Sequence, residues 1–171
     1  MTHGNKSEMN EPEMMMRLYL VQHGLAKDEL DDSTRPLSAQ GREDVTRTAG
    51  FLSLFEKPRP TTIKHSGKLR AEQTAAMFAE AWGGIALETT SGLAAKDDAS
   101  LWFTRLAVMT DDVMLVGHLP HLQRLAGLLI CADAAREAVR FRNGGVVCLE
   151  KNNTGWSILW QINPTMFYGE A

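Results

Sequence analysis

Along this chain, short apolar runs alternate with longer stretches in which apolar residues recur every three or four positions. Leu18-Tyr19-Leu20-Val21, flanked by Arg17 and Gln22, and Val113-Met114-Leu115-Val116 are unbroken apolar runs. Such runs predict strands buried on both faces, as in a parallel sheet. Thr61 to Ser66, short and rich in β-branched residues, predicts another strand, and Ile85 to Thr90 a fourth. Helical patterns lie between them. Val45, Ala49, Leu52 and Phe55 form one apolar stripe behind Ser38, a predicted N-cap, and Pro58 and Pro60 end that helix. Ala71, Ala75, Phe78 and Trp82 form a second stripe over Leu69 to Trp82, stopped by Gly83-Gly84. Trp102, Leu106 and Met109 follow Asp97 and Asp98, either of which can cap a helix. Leu122, Leu125 and Leu129 follow Pro120 in the same way. The last third predicts a closing hairpin, with Val146 to Leu149 and Trp156 to Ile162 flanking the turn residues Asn152-Asn153-Thr154-Gly155.

Strands alternating with helices predict an α/β fold of three layers around a mostly parallel sheet of five or six strands. A length of 171 residues with 44% apolar content suits one domain with a proper core. Residues 1–16 are polar and aperiodic, which predicts a disordered N-terminal extension ahead of a single domain spanning 17–171. One explanation of Met14-Met15-Met16, just ahead of the first strand, is that translation begins within that cluster. The net charge of −3 argues against nucleic acid or an anionic membrane as partner, and no apolar run approaches a membrane span. Cys131 and Cys148 lack paired spacing, which predicts a reducing, cytoplasmic setting without a disulfide framework. Anion binding, if present, must come from a local cluster.

One such cluster is predicted. The first apolar run ends in Gln22-His23-Gly24, and the run of 113–116 ends in Gly117-His118. The strand over 61–66 ends in Ser66, with Arg70 one turn on, at the start of a helix. In a parallel sheet these ends share one edge, where ligands of α/β proteins sit. Two imidazoles, a guanidinium and the free N–H groups of helix starts would then converge on one crevice, which suits a phosphoryl group. His65 reads as a strand-end residue. His121 stands three residues beyond His118, but no third ligand lies at metal spacing. The acidic run from Asp28 to Asp32 reads as a solvated loop.

Taken together, Gln22-His23-Gly24-Leu25-Ala26, Arg35-Pro36-Leu37 with Gly41, Ser66, Leu69-Arg70-Ala71-Glu72-Gln73-Thr74 and Gly117-His118-Leu119-Pro120 resemble the histidine phosphatase superfamily. They are most similar to its small phosphohistidine phosphatases of SixA type. The resemblance runs from about Leu18 to Leu129 and implies a phosphoglycerate-mutase-like fold and hydrolase activity. It implies that His23 is the nucleophile that becomes phosphorylated, and that Arg70 and His118, the latter as a cation, are catalytic and bind the phosphoryl oxygens. Gln22, Gly24 and Ser66 would complete the phosphate site, and no metal or cofactor is needed. The implied partners are a phosphohistidine-bearing signalling or phosphotransfer protein and inorganic phosphate.

Two features depart from that pattern. Gln22 stands where the family has arginine, and glutamine lacks the charge and the fork. Reduced activity is the expected result, and an inert phosphate-binding module or a small phosphomonoesterase are the alternatives. Arg35 either compensates in part or fixes its own loop. The second departure concerns the general acid, for which Asp97 and Asp98 are the candidates; a helix-capping role is the other reading of both. A labile P–N bond, whose imidazole leaving group is readily protonated, reduces the need for such an acid.

Overall fold

A computed structural model describes residues 15–169. The predicted disorder of residues 1–14 lies outside these described residues. The elements in chain order are β1 (Met16–Gln22), α1 (Ala39–Phe55), β2 (Thr62–His65), α2 (Leu69–Ala81), β3 (Ala86–Thr89), α3 (Ala99–Val108), β4 (Val113–Gly117), α4 (His121–Cys131), β5 (Val146–Asn152) and β6 (Gly155–Ile162), then a short 3₁₀ turn over Pro164–Phe167. The expected α/β, three-layer, phosphoglycerate-mutase-like architecture is what these elements build. Six strands form one sheet in the order β3-β2-β4-β1-β5-β6. The first four are mutually parallel, while β5 and β6 run antiparallel as the predicted hairpin.

Alternation along the central strands divides the core. Leu18, Leu20, Val113, Leu115, Val147 and Leu149 point to one face, where Trp102 and Leu106 of α3 and Leu122, Leu125 and Leu129 of α4 cover them. Tyr19, Val21, Met114, Val116, Val146 and Cys148 point to the other, under Val45, Ala49 and Leu52 of α1 and Ala71, Ala75 and Phe78 of α2. Burial on both faces is why β1 and β4 carry unbroken apolar runs. The Cys148 thiol lies in this core, and burial pushes its pKa up to about 12.

Three boundaries depart from expectation. Met16 is not part of an extension; it opens β1 and is 2% exposed. Phe55 does not join the apolar stripe of α1. It is 69% exposed and packs instead against Phe51 on the helix surface, at 4.5 Å between ring centroids. Trp82 lies one residue beyond α2, where its indole N–H donates to the Ala49 carbonyl at 3.1 Å and ties α2 to α1. Strand β6 also carries a bulge: Cys148 pairs with Trp160 and Leu149 with Ile158, which leaves Leu159 as the extra residue.

Two glycines of α1 differ in function. A Cβ at Gly41 would stand 2.0 Å from the Leu25 carbonyl oxygen and 2.8 Å from its nitrogen, whereas one at Gly50 would meet nothing within 4 Å. The β1–α1 loop therefore lies directly on the first turn of α1. Gly50→Ala is expected to stabilise the protein by roughly 0.5–1 kcal/mol through helix propensity. Gly41→Ala should destabilise it by about 1–3 kcal/mol or more through backbone overpacking. Urea unfolding of the two variants checks the opposite signs.

Candidate functional site

The β1/β4 pairing builds the site. Gln22 lies opposite Gly117, and the next backbone N–H, that of His23, donates to the Gly117 carbonyl at 3.2 Å. One residue past each strand, His23 and His118 therefore emerge side by side, with ring centroids 4.9 Å apart and planes inclined by 54°. Strand β2 pairs with the other side of β4 and brings in Ser66, whose Oγ lies 2.6 Å from Nε2 of His118. From the first turn of α2, Nε of Arg70 donates to Nε2 of His23 at 3.2 Å. The two imidazoles, the guanidinium and Ser66 converge as the sequence pattern implies.

Hydrogen bonds assign the His23 tautomer. Nδ1 lies 2.7 Å from the Gly24 carbonyl, which can only accept, so Nδ1 carries the proton. Nε2 then holds the lone pair, consistent with its acceptance of the Arg70 N–H. Burial, with the cations Arg70 and Arg35 nearby, lowers the His23 pKa to about 4, even though its bond to Gly24 opposes the shift. An unprotonated, orientated imidazole is thus present across the neutral range.

His118 is uncharged when the site holds no ligand. Burial first, then the charges of His23, Arg70 and Lys68, lower its pKa to about 3, so in the ligand-free protein it is neutral and not a cation. The same cations that disfavour its proton would be offset by an anion bound among them. Gly24 differs from the expectation. Its N–H donates to Thr74 Oγ1 at 3.0 Å and its carbonyl holds His23, so neither group is free for a phosphoryl oxygen. Glycine is required there for space, because a Cβ would lie 2.9 Å from Val45 and 3.0 Å from Leu37. At Gln22 the backbone carbonyl accepts from Gly144 at 3.0 Å, while the buried side-chain Oε1 has no partner among the described residues.

The candidate acids have local duties. Asp98 caps α3 by accepting from Ser100, and Asp97 Oδ2 accepts from the Ala94 N–H at 2.8 Å. Asp97 acts electrostatically on His121. His121 is fully buried, with neither ring nitrogen hydrogen-bonded among the described residues. His65 is buried and accepts from the Gly67 N–H at 3.3 Å. Among the described residues, no three His, Cys, Asp or Glu side chains gather as metal ligands.

Two positioning residues carry no sequence signal of their role. Thr74 Oγ1 donates to the Arg70 carbonyl at 2.7 Å and accepts from Gly24, so it joins the loop after β1 to the arginine's turn. Asn143 Nδ2 donates to the His23 carbonyl at 2.9 Å from the segment before β5. Thr74 lies within the Leu69–Thr74 motif, but its partner is 50 residues away. Asn143 lies in no motif. Helices α1 and α3 have side-chain N-caps, Ser38 and Asp98, whereas α2 and α4, which begin at the crevice, have none.

The fold has counterparts among solved structures. Over 89% of this chain and 99% of the other, it superposes on the protein histidine phosphatase SixA complexed with tungstate, with a TM-score of 0.78 and 23% identity. The fold is that of the histidine phosphatases. An α-ribazole phosphatase from Shigella flexneri covers 84% of this chain and 94% of its own at TM-score 0.69 and 16% identity. A phosphoglycerate mutase from Plasmodium falciparum covers 85% and 89% at 0.64 and 12%. No protein-family model matches the chain, and no curated protein matches it at the sequence level.

His23, His65, His118 and His121 all have lowered pKa values in the folded chain. As pH falls below about 6.5 the unfolded state takes up protons that these buried rings refuse, so stability is full above that pH and declines below it. The thermal midpoint is expected to drop steadily between pH 7 and 4.5; a flat profile would contradict the buried neutral assignment. Thr74→Val should cost about 1–3 kcal/mol in urea unfolding, because it strands the Gly24 N–H.

Proposed function

We propose that this chain is a phosphatase that passes a phosphoryl group through His23, and that its substrate is phosphohistidine on a signalling or phosphotransfer protein. The observation that carries the reading is the set of His23 contacts: Nδ1–H fixed on the Gly24 carbonyl, Nε2 unprotonated, and Arg70 beside it. Nε2 attacks phosphorus, the bond from phosphorus to the substrate nitrogen breaks, and the departing imidazole takes up a proton from solvent. Water then attacks the phosphoryl group on His23. The Nε2–phosphorus bond breaks, inorganic phosphate leaves, and the water's proton is released. Arg70 moves from Nε2 to the equatorial oxygens, where its fork and the uncapped starts of α2 and α4 meet the charge. His118, held by Ser66, gains its proton once the anion is present.

A phosphohistidine substrate is favoured by its labile P–N bond, which breaks without a dedicated carboxylic acid; Asp97 and Asp98 are held at the Ala94 and Ser100 N–H groups. The neutral Gln22 supports slow turnover. The fold's likeness to a protein histidine phosphatase agrees with this reading.

Single-turnover incubation with labelled phosphohistidine protein or phosphoramidate should leave label on His23, and none in His23→Ala. Turnover should persist down to about pH 5, with an acid limb near 4 rather than 6.5. Phosphate binding without any turnover at high protein concentration would replace the enzyme by a phosphate-binding module. Faster hydrolysis of phosphate esters than of phosphohistidine would make it a phosphomonoesterase.

A further inference from the structure

We propose that the segment between α4 and β5 is a docking surface for the protein that bears the phosphohistidine, receiving an acidic face of that partner, a role that rests on the phosphatase reading of the site. The segment runs from the loop of His118 to that of His23. At the His23 end, Asn143 Nδ2 donates to the His23 carbonyl at 2.9 Å, and the Gly144 N–H donates to the Gln22 carbonyl at 3.0 Å. There Arg142 and Asn143 line a cavity of about 340 Å³ with Leu25, two residues beyond His23. At the other end Arg136 and Arg124 line a separate cavity of about 260 Å³ with Pro120, two residues beyond His118. Burial alternates in between: Val139 and Phe141 enter the core, while Arg140 and Arg142 are exposed. The backbone is pinned as well, the Arg140 carbonyl accepting from Nε2 of Gln161 at 2.7 Å.

Residues 136–142 hold three arginines and one glutamate, in a chain whose net charge is −3. Arg35, Arg47 and Arg105 are committed to the Lys27, Phe167 and Ser91 carbonyls. The guanidinium groups of Arg136, Arg140 and Arg142 make no hydrogen bond or ion pair among the described residues, whose ion pairs are Arg47–Glu43 and Lys64–Glu88. The carboxylates at the two cavities bond elsewhere: Asp44 Oδ1 accepts from Gln40 and Tyr168, and Glu137 accepts from Gln123 at 3.4 Å. Exposed guanidinium forks without partners in their own chain suit the carboxylates of another. Because Arg136 and Arg142 line different cavities, one small anion does not meet both, whereas a protein face with several carboxylates does. The negative charge of the chain as a whole disfavours a nucleic acid, and the local excess of cations steers an acidic protein toward the histidines.

A pair of synthetic phosphohistidine peptides tests the surface, identical except that the residues flanking the histidine are glutamates in one and glutamines in the other. The full-length parent should hydrolyse the acidic peptide with kcat/KM roughly 2- to 30-fold above the neutral one, the range for two exposed ion pairs, and the difference should vanish in about 0.5 M salt. Arg140→Gln combined with Arg142→Gln should erase that preference by raising KM for the acidic peptide alone. Both arginines are exposed, so the thermal midpoint of the variant should match that of the parent. Equal hydrolysis of the two peptides by the parent would overturn the docking surface and keep the phosphatase. A variant that loses both peptides alike would also overturn it, since the segment would then act only by holding His23 through Asn143. Competition by an oligonucleotide of equal charge, as strong as that by the unphosphorylated acidic peptide, would replace the protein partner with a general polyanion surface. A parent that hydrolyses neither peptide would overturn the phosphatase reading, and this docking role with it.

Discussion

The last rung of the β1/β4 ladder, the 3.2 Å bond from the His23 N–H to the Gly117 carbonyl, sets the geometry on which the rest depends. It holds two chain segments nearly a hundred residues apart in a register that releases both histidines on the same edge of the sheet. Side chains along a strand alternate between faces, so a slip of one residue would send one imidazole under a helix layer. Register is pinned by the core itself: Leu18 and Leu20 must meet α3 and α4, while Tyr19 and Val21 must meet α1 and α2. Positions in the hydrophobic core thus decide the 4.9 Å separation of the rings.

Around that pair the described residues supply donors and cations, with no carboxylate among them in hydrogen-bond contact with either ring. Burial and repulsion therefore act on the two imidazoles in the same direction, and both are neutral. In the proposed reaction this is an advantage, since His23 would need no base to free its lone pair. An anion bound there would offset the repulsion that keeps His118 neutral. The field of Arg70, Lys68 and Arg35 is unfavourable to the empty pocket and favourable to an occupied one, which is the electrostatic condition for selective anion capture.

Much of this was legible from residue order. The apolar runs of β1 and β4, the stripes of α1 and α2 and the turn before Gly155 led to the strand and helix sequence, and the strand ends located His23, His118, Ser66 and Arg70. What residue order did not reveal depends on contacts made only in three dimensions. Phe55 continues the periodicity of α1 but stays exposed beside Phe51. Gly24 looks like a flexible ligand-binding residue, yet its amide is taken by Thr74 and its missing side chain makes room for Val45 and Leu37. Asn143 reaches the His23 carbonyl from 120 residues away. The neutral state of His118 follows from burial first and then from His23, Arg70 and Lys68, all distant from it in the chain, with His121 adding to them.

The displaced Leu159 on β6 has a bearing on how molecules of this protein meet. Strand β6 closes one side of the sheet and contains no charged residue and no proline, and its Ile158 and Leu159 are 45% and 42% exposed. A straight strand of that composition would offer a template for intermolecular strand addition and fibrous association. The extra residue kinks the rim and breaks the spacing of its outward amides and carbonyls, so an incoming strand meets a mismatched ladder half-way along. Solubility at this margin is thereby protected by backbone shape, where other proteins use lysines.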